Sequence, residues 1–304
     1  MKKSVLTFTL AASVLALSAC GSAEDETLVT SKVGDITVGE FNETAKSLAG
    51  PAVIQQMVTE KVLDDKYDVS DKEIQAKYDE FAKQYGESFK DILTQSGFTE
   101  ETFKDTLPLQ ILQDKALKDQ YIKEEDVKKY YEQMKTELNA RHILVEDEET
   151  AKEAIAKIQG GAAFADVAKE YSTDPGSAEK GGELGWFSVG KMVDEFNDAS
   201  YALELNTLSE PVQSQMGFHV IEVTEKRDVK DIKSYEKEED NIRQLMVDKL
   251  NVSQQAPALV QEIVSKMVKK ADFKTSDKLL KPALKAMVPA EEEKAEDTGK
   301  ESKK

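Results

Sequence analysis

The residues of this chain that are best suited to hydrogen-bond or acid–base chemistry are its two histidines. His142 lies in the apolar run at residues 140–145, and His219 lies in the run at residues 217–221. Both runs are short and apolar, which is typical of strands in a sheet. A neutral imidazole has one donor and one acceptor nitrogen, so two of them can fix each other's tautomers. A lone histidine in an apolar strand is more often a satisfied core residue, and core packing is the alternative for each.

Two further motifs lie between the histidines in a fixed order. Gly-Gly-Glu-Leu-Gly-Trp-Phe occupies residues 181–187, and Lys-Met-Val-Asp-Glu-Phe occupies residues 191–196. With the two histidine runs, this order resembles the parvulin family of peptidyl-prolyl isomerases over residues 140–223, a little under a third of the chain. The resemblance implies a small α/β domain that accelerates rotation about Xaa-Pro peptide bonds.

The resemblance also implies roles for individual residues. His142 and His219 would lie on adjacent central strands with their rings close together at the floor of the site. Asp174 falls where family members carry cysteine or aspartate facing the rotating amide, and Ser214 falls where many members carry a hydroxyl residue. Three apolar side chains would bind the proline ring: Leu184, Met192 and Phe196. Core packing alone also explains these three residue types, and only the motif context indicates a pocket.

The spacing of two of these apolar residues carries a structural prediction. Met192 and Phe196 stand at positions i and i+4, so both are expected to face the same way from one helical turn. A flat aromatic face and a compliant thioether together suit a proline ring.

Proline isomerisation makes and breaks no bond to carbon. Rotation about an Xaa-Pro bond has a barrier of roughly 20 kcal/mol, because the twisted amide loses its resonance. A catalyst therefore needs a dry pocket for the ring and polar groups that stabilise the twisted amide more than either planar isomer. Under the parvulin interpretation, the Asp174 carboxylate acts electrostatically by favouring a pyramidal, less conjugated nitrogen, and it need not be a nucleophile.

Charge and residue types argue against several other functions. The net charge is −18 with only three arginines, so the chain lacks the basic face of a nucleic-acid binder. Glu-Asp-Glu-Glu at residues 146–149 would repel phosphate, which disfavours selection of phosphoserine or phosphothreonine before proline. No serine stands in a nucleophile-elbow context and no histidine–glutamate spacing suits a metal. Neither hydrolase activity nor a metal or other cofactor is expected.

The first residues predict export and lipid attachment. Residues 1–19 combine two lysines with an apolar core that is too short to span a bilayer, as in a signal peptide. Leu-Ser-Ala-Cys at residues 17–20 resembles a bacterial lipobox, in which Cys20 carries the lipid that anchors the mature chain to the outer face of the cell membrane. The alternative is an ordinary signal peptide followed by an incidental cysteine. Cys20 is the only cysteine, so no internal disulfide is expected.

Helical patterns dominate on both sides of the parvulin-like segment. Residues 28–38 suggest a small hairpin with a two-residue turn, and Pro51 is expected in the first turn of a helix. Ser70 and Glu73 have the spacing of a capping box for the next helix. Strongly charged helical patterns are expected at residues 124–138 and 228–250.

The predicted fold class is α+β, with a parvulin-like α/β domain that contains a small antiparallel sheet and is inserted in a mainly helical, chaperone-like domain. The N- and C-terminal flanks are expected to form that helical domain together, because neither has enough apolar surface for a large core alone. The predicted divisions are a signal peptide at 1–19, a lipidated cysteine and spacer at 20–27, an N-terminal helical region at 28–136, the parvulin-like domain at 137–227, a C-terminal helical region at 228–288 and a disordered charged tail at 289–304.

The combination of lipobox, helical flanks and one parvulin-like domain resembles the PrsA-type foldases, which are extracellular lipoproteins of Gram-positive bacteria. This resemblance implies a membrane-anchored isomerase whose partners are unfolded or partly folded secreted proteins containing proline. A holding chaperone with a weak or dispensable isomerase domain is the alternative. Its signature is an apolar concave surface formed by the flanks of one chain or of a homodimer. A solute-binding protein fits less well, since the sequence shows no repeated strand–helix units outside the central segment.

Overall fold

The computed structural model describes residues 23–288 of the 304-residue chain. The predicted signal peptide, Cys20 and the predicted charged tail lie outside the described residues. The described residues divide into two compact units, one formed by residues 23–66 together with residues 264–288 and the other by Tyr67–Ile263. Within residues 23–288, every helix is too short or too polar to cross a membrane.

The four strands between residues 136 and 228 and the helices between them occupy the middle of the chain, while its two ends are mainly helical. The elements are, in chain order, β1 (Thr27–Val29), β2 (Ile36–Thr37), α1 (Val38–Asp64), α2 (Asp71–Tyr85), α3 (Phe89–Gln95), α4 (Glu100–Lys104), α5 (Leu107–Gln120), α6 (Glu124–Met134), β3 (Thr136–Val145), α7 (Glu148–Gln159), α8 (Phe164–Tyr171), β4 (Glu183–Phe187), α9 (Asp194–Ala202), β5 (Val212–Ser214), β6 (Gly217–Asp228), α10 (Tyr235–Val252), α11 (Ala256–Ala271) and α12 (Lys281–Ala286).

Helix α1 of the first unit begins earlier than the sequence analysis predicts. The Glu40 N–H donates to Thr37 Oγ1 at 3.1 Å, and the Thr37 N–H donates to the Glu40 carboxylate at 3.0 Å. This capping box starts the helix at Val38, so the prediction for Pro51 is wrong: it lies inside α1 and not in its first turn. A 27-residue helix keeps enough other hydrogen bonds to accommodate the one that proline cannot donate.

The hairpin before α1 is also looser than predicted. Strands β1 and β2 pair antiparallel, with Val29 opposite Ile36, so residues 30–35 form the connection and the expected two-residue turn is wrong. The Ser31 hydroxyl donates to the Gly34 carbonyl at 2.6 Å, and the Asp35 carboxylate accepts from the Ser31 N–H at 3.1 Å. These two hydrogen bonds stabilise the connection at residues 30–35, which is longer than the two-residue turn predicted around Gly34.

The two ends of the described chain meet in the first unit. Helix α1 contacts α12, and Gln55 Nε2 donates to the Ala283 carbonyl at 3.1 Å. Lys46 of α1 pairs with Asp277, in the segment before α12.

The helices of the second unit also combine N- and C-terminal segments. Ser70 and Glu73 form the predicted capping box at the start of α2. After the sheet, α10 returns to contact α5 and α6, and Arg243 donates to the Ile122 carbonyl at 3.0 Å. N- and C-terminal helices therefore contact each other within each of the two units.

The sheet of the second unit has four antiparallel strands in the order β4-β3-β6-β5. Helices α7 and α8 cover one face, where Phe164 and Val167 contact Ile143 and Val220. Helix α9 covers the other face, where Phe196 joins an apolar cluster with strand residues of β3, β4 and β6. The two central strands, β3 and β6, carry His142 and His219 respectively.

Long-range strand pairing corrects two predicted helix boundaries. Helix α6 ends at Met134, and residues 136–138 belong to β3 instead of the helix predicted at 124–138. Strand β6 continues to Asp228, and α10 begins only at Tyr235. Residues at the two boundaries pair with each other across β3 and β6, and this pairing outweighs their local helical pattern.

A glycine allows the loop before β4 to approach β3. The His142 N–H donates to the Gly182 carbonyl at 2.9 Å, and Gly182 has φ of +83°. A Cβ on Gly182 would collide with the carbonyl oxygen of His142. Glycine is therefore required here for both its conformation and its size.

We predict that Gly182→Ala destabilises the chain more than Gly161→Ala. Gly161 also has a positive φ, +97°, but a Cβ there meets nothing within 4 Å. Both changes add backbone strain of about 1 kcal/mol, whereas only Gly182→Ala adds a collision, for a total of roughly 2–4 kcal/mol. Denaturant unfolding followed by circular dichroism measures both free energies. Equal losses would contradict the close approach at Gly182.

Candidate active site

The two histidines lie side by side on one face of the sheet. His142 pairs with Ile221 and His219 pairs with Leu144, so the histidines are diagonal neighbours across the two central strands. Their Nδ1 atoms are 3.2 Å apart, and their nearly parallel rings have centroids 5.5 Å apart. Both side chains are buried, with 6% of His142 and 3% of His219 exposed. The structure thus brings the two rings together as the resemblance implies.

Asp174 lies at one end of the histidine pair. Its Oδ2 is 2.9 Å from His142 Nε2, and it also accepts from the Ser177 hydroxyl, while Oδ1 accepts from the Gly176 N–H at 3.0 Å. Burial alone would raise the pKa of Asp174, but hydrogen bonds from Ser177, His142 and Gly176 outweigh it and lower the pKa to about 2. The carboxylate is therefore ionised at neutral pH.

Ser177 is a member of this network that the sequence analysis missed. It is buried, and its Oγ also lies 3.1 Å from His142 Nε2. The only signal is the Asp-Pro-Gly-Ser run at residues 174–177, a turn composition in which a serine can bond back to the aspartate. The Thr173 N–H donates to the Leu144 carbonyl at 2.7 Å, which holds the same loop against the sheet.

Ser214 lies at the other end of the pair. Its hydroxyl is 2.8 Å from His219 Nε2 and accepts the Met216 N–H at 3.0 Å. The tight turn between β5 and β6 places this serine, because Ser214 pairs directly with Gly217. The four polar residues predicted for the site therefore form one continuous row.

The row has one consistent hydrogen-bond direction when both rings are neutral. The Asp174 carboxylate only accepts, so His142 Nε2 donates to it and His142 Nδ1 becomes an acceptor. His219 Nδ1 must then donate to His142 Nδ1, and His219 Nε2 accepts from the Ser214 hydroxyl. Every ring nitrogen has a partner in this arrangement.

Burial keeps the second ring neutral. The pKa of His219 is lowered to about 4, chiefly by burial and further by His142, while the Asp174 charge opposes the shift. At neutral pH the floor of the site therefore has a neutral His219 ring and a fixed negative charge on Asp174 at one end. Such a floor suits electrostatic catalysis and offers no activated nucleophile.

The predicted pocket residues lie in one apolar cluster. Phe196 is buried, and Leu184 and Met192 pack against the same cluster. The Phe196 ring stands edge-on to both imidazoles, with centroid distances of 5.6 Å to His142 and 5.3 Å to His219. One aromatic ring therefore shields both histidines from water on this side.

One geometric prediction for the pocket is wrong. Helix α9 begins at Asp194 with Val193 as its N-cap, so Met192 precedes the helix and does not share a helical turn with Phe196. Met192 joins the cluster from the loop between β4 and α9 instead. The loop contains Gly190, whose φ of +81° lies outside the range of an extended strand. This glycine lets the chain turn after β4, before α9 begins.

The segment after β3 is acidic, and no cluster of potential metal ligands is found in the described part of the chain. Residues 146–149, directly after β3, are exposed, so their negative charges face solvent. In that position they would repel the phosphate of a phosphoserine or phosphothreonine. Within residues 23–288, no group of three or more His, Cys, Asp or Glu side chains has the geometry to hold a metal ion.

Comparison with known proteins identifies the family. Residues 122–227 match the PPIC-type PPIASE domain family. The chain is 44% identical over 303 residues to foldase protein PrsA 1 of Bacillus cereus, covering 100% of both chains. It is 41% identical over 283 residues to the foldase protein PrsA of Bacillus subtilis, covering 92% of this chain and 93% of that one.

A solved structure shows the same likeness. The crystal structure of peptidylprolyl isomerase PrsA from Bacillus cereus is 40% identical, has a TM-score of 0.58 and covers 87% of this chain and 99% of that chain. The similarity extends over nearly the whole chain, and the matched isomerase domain contains all the predicted polar and pocket residues. The chain therefore belongs to the PrsA family of foldase proteins, and its central segment is a parvulin-type peptidyl-prolyl isomerase domain.

Proposed function

We propose that this isomerase acts on secreted proteins outside the cytoplasmic membrane, where a lipid on Cys20 retains it. Its clients are unfolded or partly folded chains whose Xaa-Pro bonds must reach the native isomer. The observation that supports the site assignment is the buried row of Asp174, His142, His219 and Ser214 beside an apolar cluster. Such clients require a catalyst because uncatalysed isomerisation of an Xaa-Pro bond takes about 10–100 s.

The Asp174 charge makes a bound amide easier to twist. Amide resonance places negative charge on the carbonyl oxygen and gives the C–N bond its double-bond character. A carboxylate that repels the negative charge on the carbonyl oxygen opposes this charge separation. It therefore favours the twisted form of the amide, in which the nitrogen is pyramidal. Hydrogen bonds from His142 and Ser177 hold the carboxylate in place before a client binds, so no reorganisation accompanies the rotation.

The pocket supplies the second part of the mechanism. Leu184, Met192 and Phe196 bind the proline ring and exclude water from the amide. Water would stabilise the planar amide by hydrogen bonding to its polarised carbonyl, so a dry pocket lowers the barrier to rotation. The histidine pair contributes by holding Asp174 and Ser214 in fixed positions at its two ends.

A second function, holding unfolded clients, is supported by the surface of the first unit. Phe41 and Leu48 lie two turns apart on α1, and 57% and 82% of their surfaces are exposed. Large apolar side chains at this spacing form a stripe that suits an unfolded chain. The same stripe is open to a second copy of the protein, and the homodimer stays a prediction.

We predict that Asp174→Asn lowers kcat/KM for a proline peptide by about 10- to 100-fold, because it removes the fixed charge and retains the side-chain volume. The matched control is Asp166→Asn, which makes the same charge change on an exposed position of α8. It should change kcat/KM by less than about twofold. The measurement follows cis-to-trans conversion with the mature chain from residue 21, and circular dichroism checks that each variant is folded.

The same preparations separate the two functions. If the parent chain does not accelerate isomerisation but still suppresses aggregation of an unfolded client, the proposal of catalysis fails and the holding function remains. If both asparagine variants lose activity equally, the effect arises from net charge and the role of Asp174 is refuted.

We predict that Cys20→Ala releases the protein from the membrane. The change removes the only thiol that could carry the acyl chains, and anchoring by lipid scales at about 0.8 kcal/mol per buried CH₂. Labelling with palmitate and fractionation of cells, membranes and medium measure the effect, with Ser22→Ala as the control that keeps the label. Membrane retention of unlabelled Cys20→Ala protein would disprove the lipid anchor.

A further inference from the structure

Helix α9 is held from its outer side by helices that do not belong to the sheet segment. Its inner side carries Phe196 against both imidazoles. Its outer side meets α6, where Lys129 Nζ lies 2.8 Å from Asp198 Oδ1 and Asn197 Nδ2 donates to Gln133 Oε1 at 3.3 Å. Both contacts join a flanking helix to the helix that carries the pocket.

A second set of contacts holds the start of α9 and the loop before it. Lys249 of α10 pairs with Asp194, the first residue of α9. Lys249 Nζ also lies 5.6 Å from the centre of the Tyr130 ring, which links α10 to α6 at this point. The Tyr130 hydroxyl packs so close to Gly190 that a Cβ there would lie 2.5 Å from it. Gly190 is two residues before Met192, so this contact fixes the loop that carries the pocket methionine.

These polar contacts are separated by an open cleft instead of a packed core. The cleft is lined by the apolar side chains of Ile122, Met246 and Leu250 and by Tyr130 and Lys249. Asn197, which also lines it, is only 5% exposed, and its Oδ1 accepts no hydrogen bond. An open cleft supplies fewer packing contacts than a filled core, so the position of α9 depends on the few side chains that cross the cleft.

We propose that Lys129, Tyr130 and Lys249 are positioning residues of the isomerase, which fix α9 and its preceding loop so that Phe196 and Met192 close the proline pocket. The inference rests on the pocket assignment in the proposed function. It makes α10, which follows the matched isomerase domain of residues 122–227, part of the isomerase: together with α6 it sets the shape of the pocket without touching the client's proline.

The contacts predict a particular kinetic signature. The proline ring keeps its shape while the amide twists, so a pocket that is loosened without being opened to water loses the same ring contacts in the planar and twisted forms. Such loosening raises KM and leaves kcat nearly unchanged. Loss of the Asp174 charge acts on the twisted amide and lowers kcat. The two effects are therefore separable in one assay.

The test uses the mature chain from residue 21 with Lys129→Gln and Lys249→Gln combined. We expect KM for a proline peptide to rise about fivefold, the factor that corresponds to 1 kcal/mol from two exposed ion pairs, with kcat within about twofold of the parent. The matched control is Lys128→Gln, which removes an ion pair with Glu124 within α6 and touches no residue of α9. It should leave KM and kcat unchanged.

A charge exchange distinguishes positioning from a general loss of stability. Lys129→Asp alone should raise KM, and adding Asp198→Lys should restore it, because the pair is re-formed with its charges reversed. A KM of the double glutamine variant equal to that of Lys128→Gln, or an exchange that restores nothing, would overturn the proposal.

A readout independent of activity separates this proposal from the proposed function. In chains labelled at the methionine methyl groups, the Met192 resonance, assigned with Met192→Leu, should shift in the double glutamine variant and stay in place in Lys128→Gln. A parent chain without isomerase activity would refute the proposed function, while the Met192 shift would still decide whether the flanks position the pocket. An unshifted resonance would overturn the positioning role.

Discussion

Two imidazoles that face each other inside a sheet are stable only when each of their four nitrogens has a hydrogen-bond partner. His142 and His219 supply one bond between them, and Asp174 and Ser214 supply the bonds at the two ends. An unpaired buried nitrogen would destabilise the fold by roughly 1–3 kcal/mol. A row that lacks one of its hydrogen bonds would therefore make the fold less stable. The other features of the site follow from this requirement.

The fold meets the requirement by fixing strand register and loop position together. A shift of one residue between β3 and β6 would turn one histidine to the opposite face of the sheet. The bond between the Thr173 N–H and the Leu144 carbonyl brings Asp174 to the end of the row, and Gly182 lets the next loop lie against His142. Phe196 then covers both rings, which keeps the row dry and the His219 pKa low.

The meeting of His142, Asp174, His219 and Ser214 is predictable from sequence because the motifs that carry them, taken in order, resemble those of the parvulin family. The end of α6 and the start of α10 are not predictable in this way, since residues 136–138 and 228 become strand only through pairing with each other. The prediction that Pro51 lies in the first turn of a helix failed for a different reason. The capping box of Thr37 and Glu40, upstream of the proline, determines where the helix starts. The contacts of α6 and α10 with α9 carry no sequence signal, because ion pairs between distant helices leave no spacing to recognise.

The most direct test of the account is the tautomeric state of the two histidines, measured by nitrogen-15 NMR on the mature chain between pH 8 and pH 4. The account predicts a proton on Nδ1 of His219 and on Nε2 of His142 at neutral pH, with His219 staying neutral until the pH approaches its pKa of about 4. His219 with its proton on Nε2, or a His219 that titrates near its ordinary pKa of about 6.5, would contradict the continuous row on which the site depends.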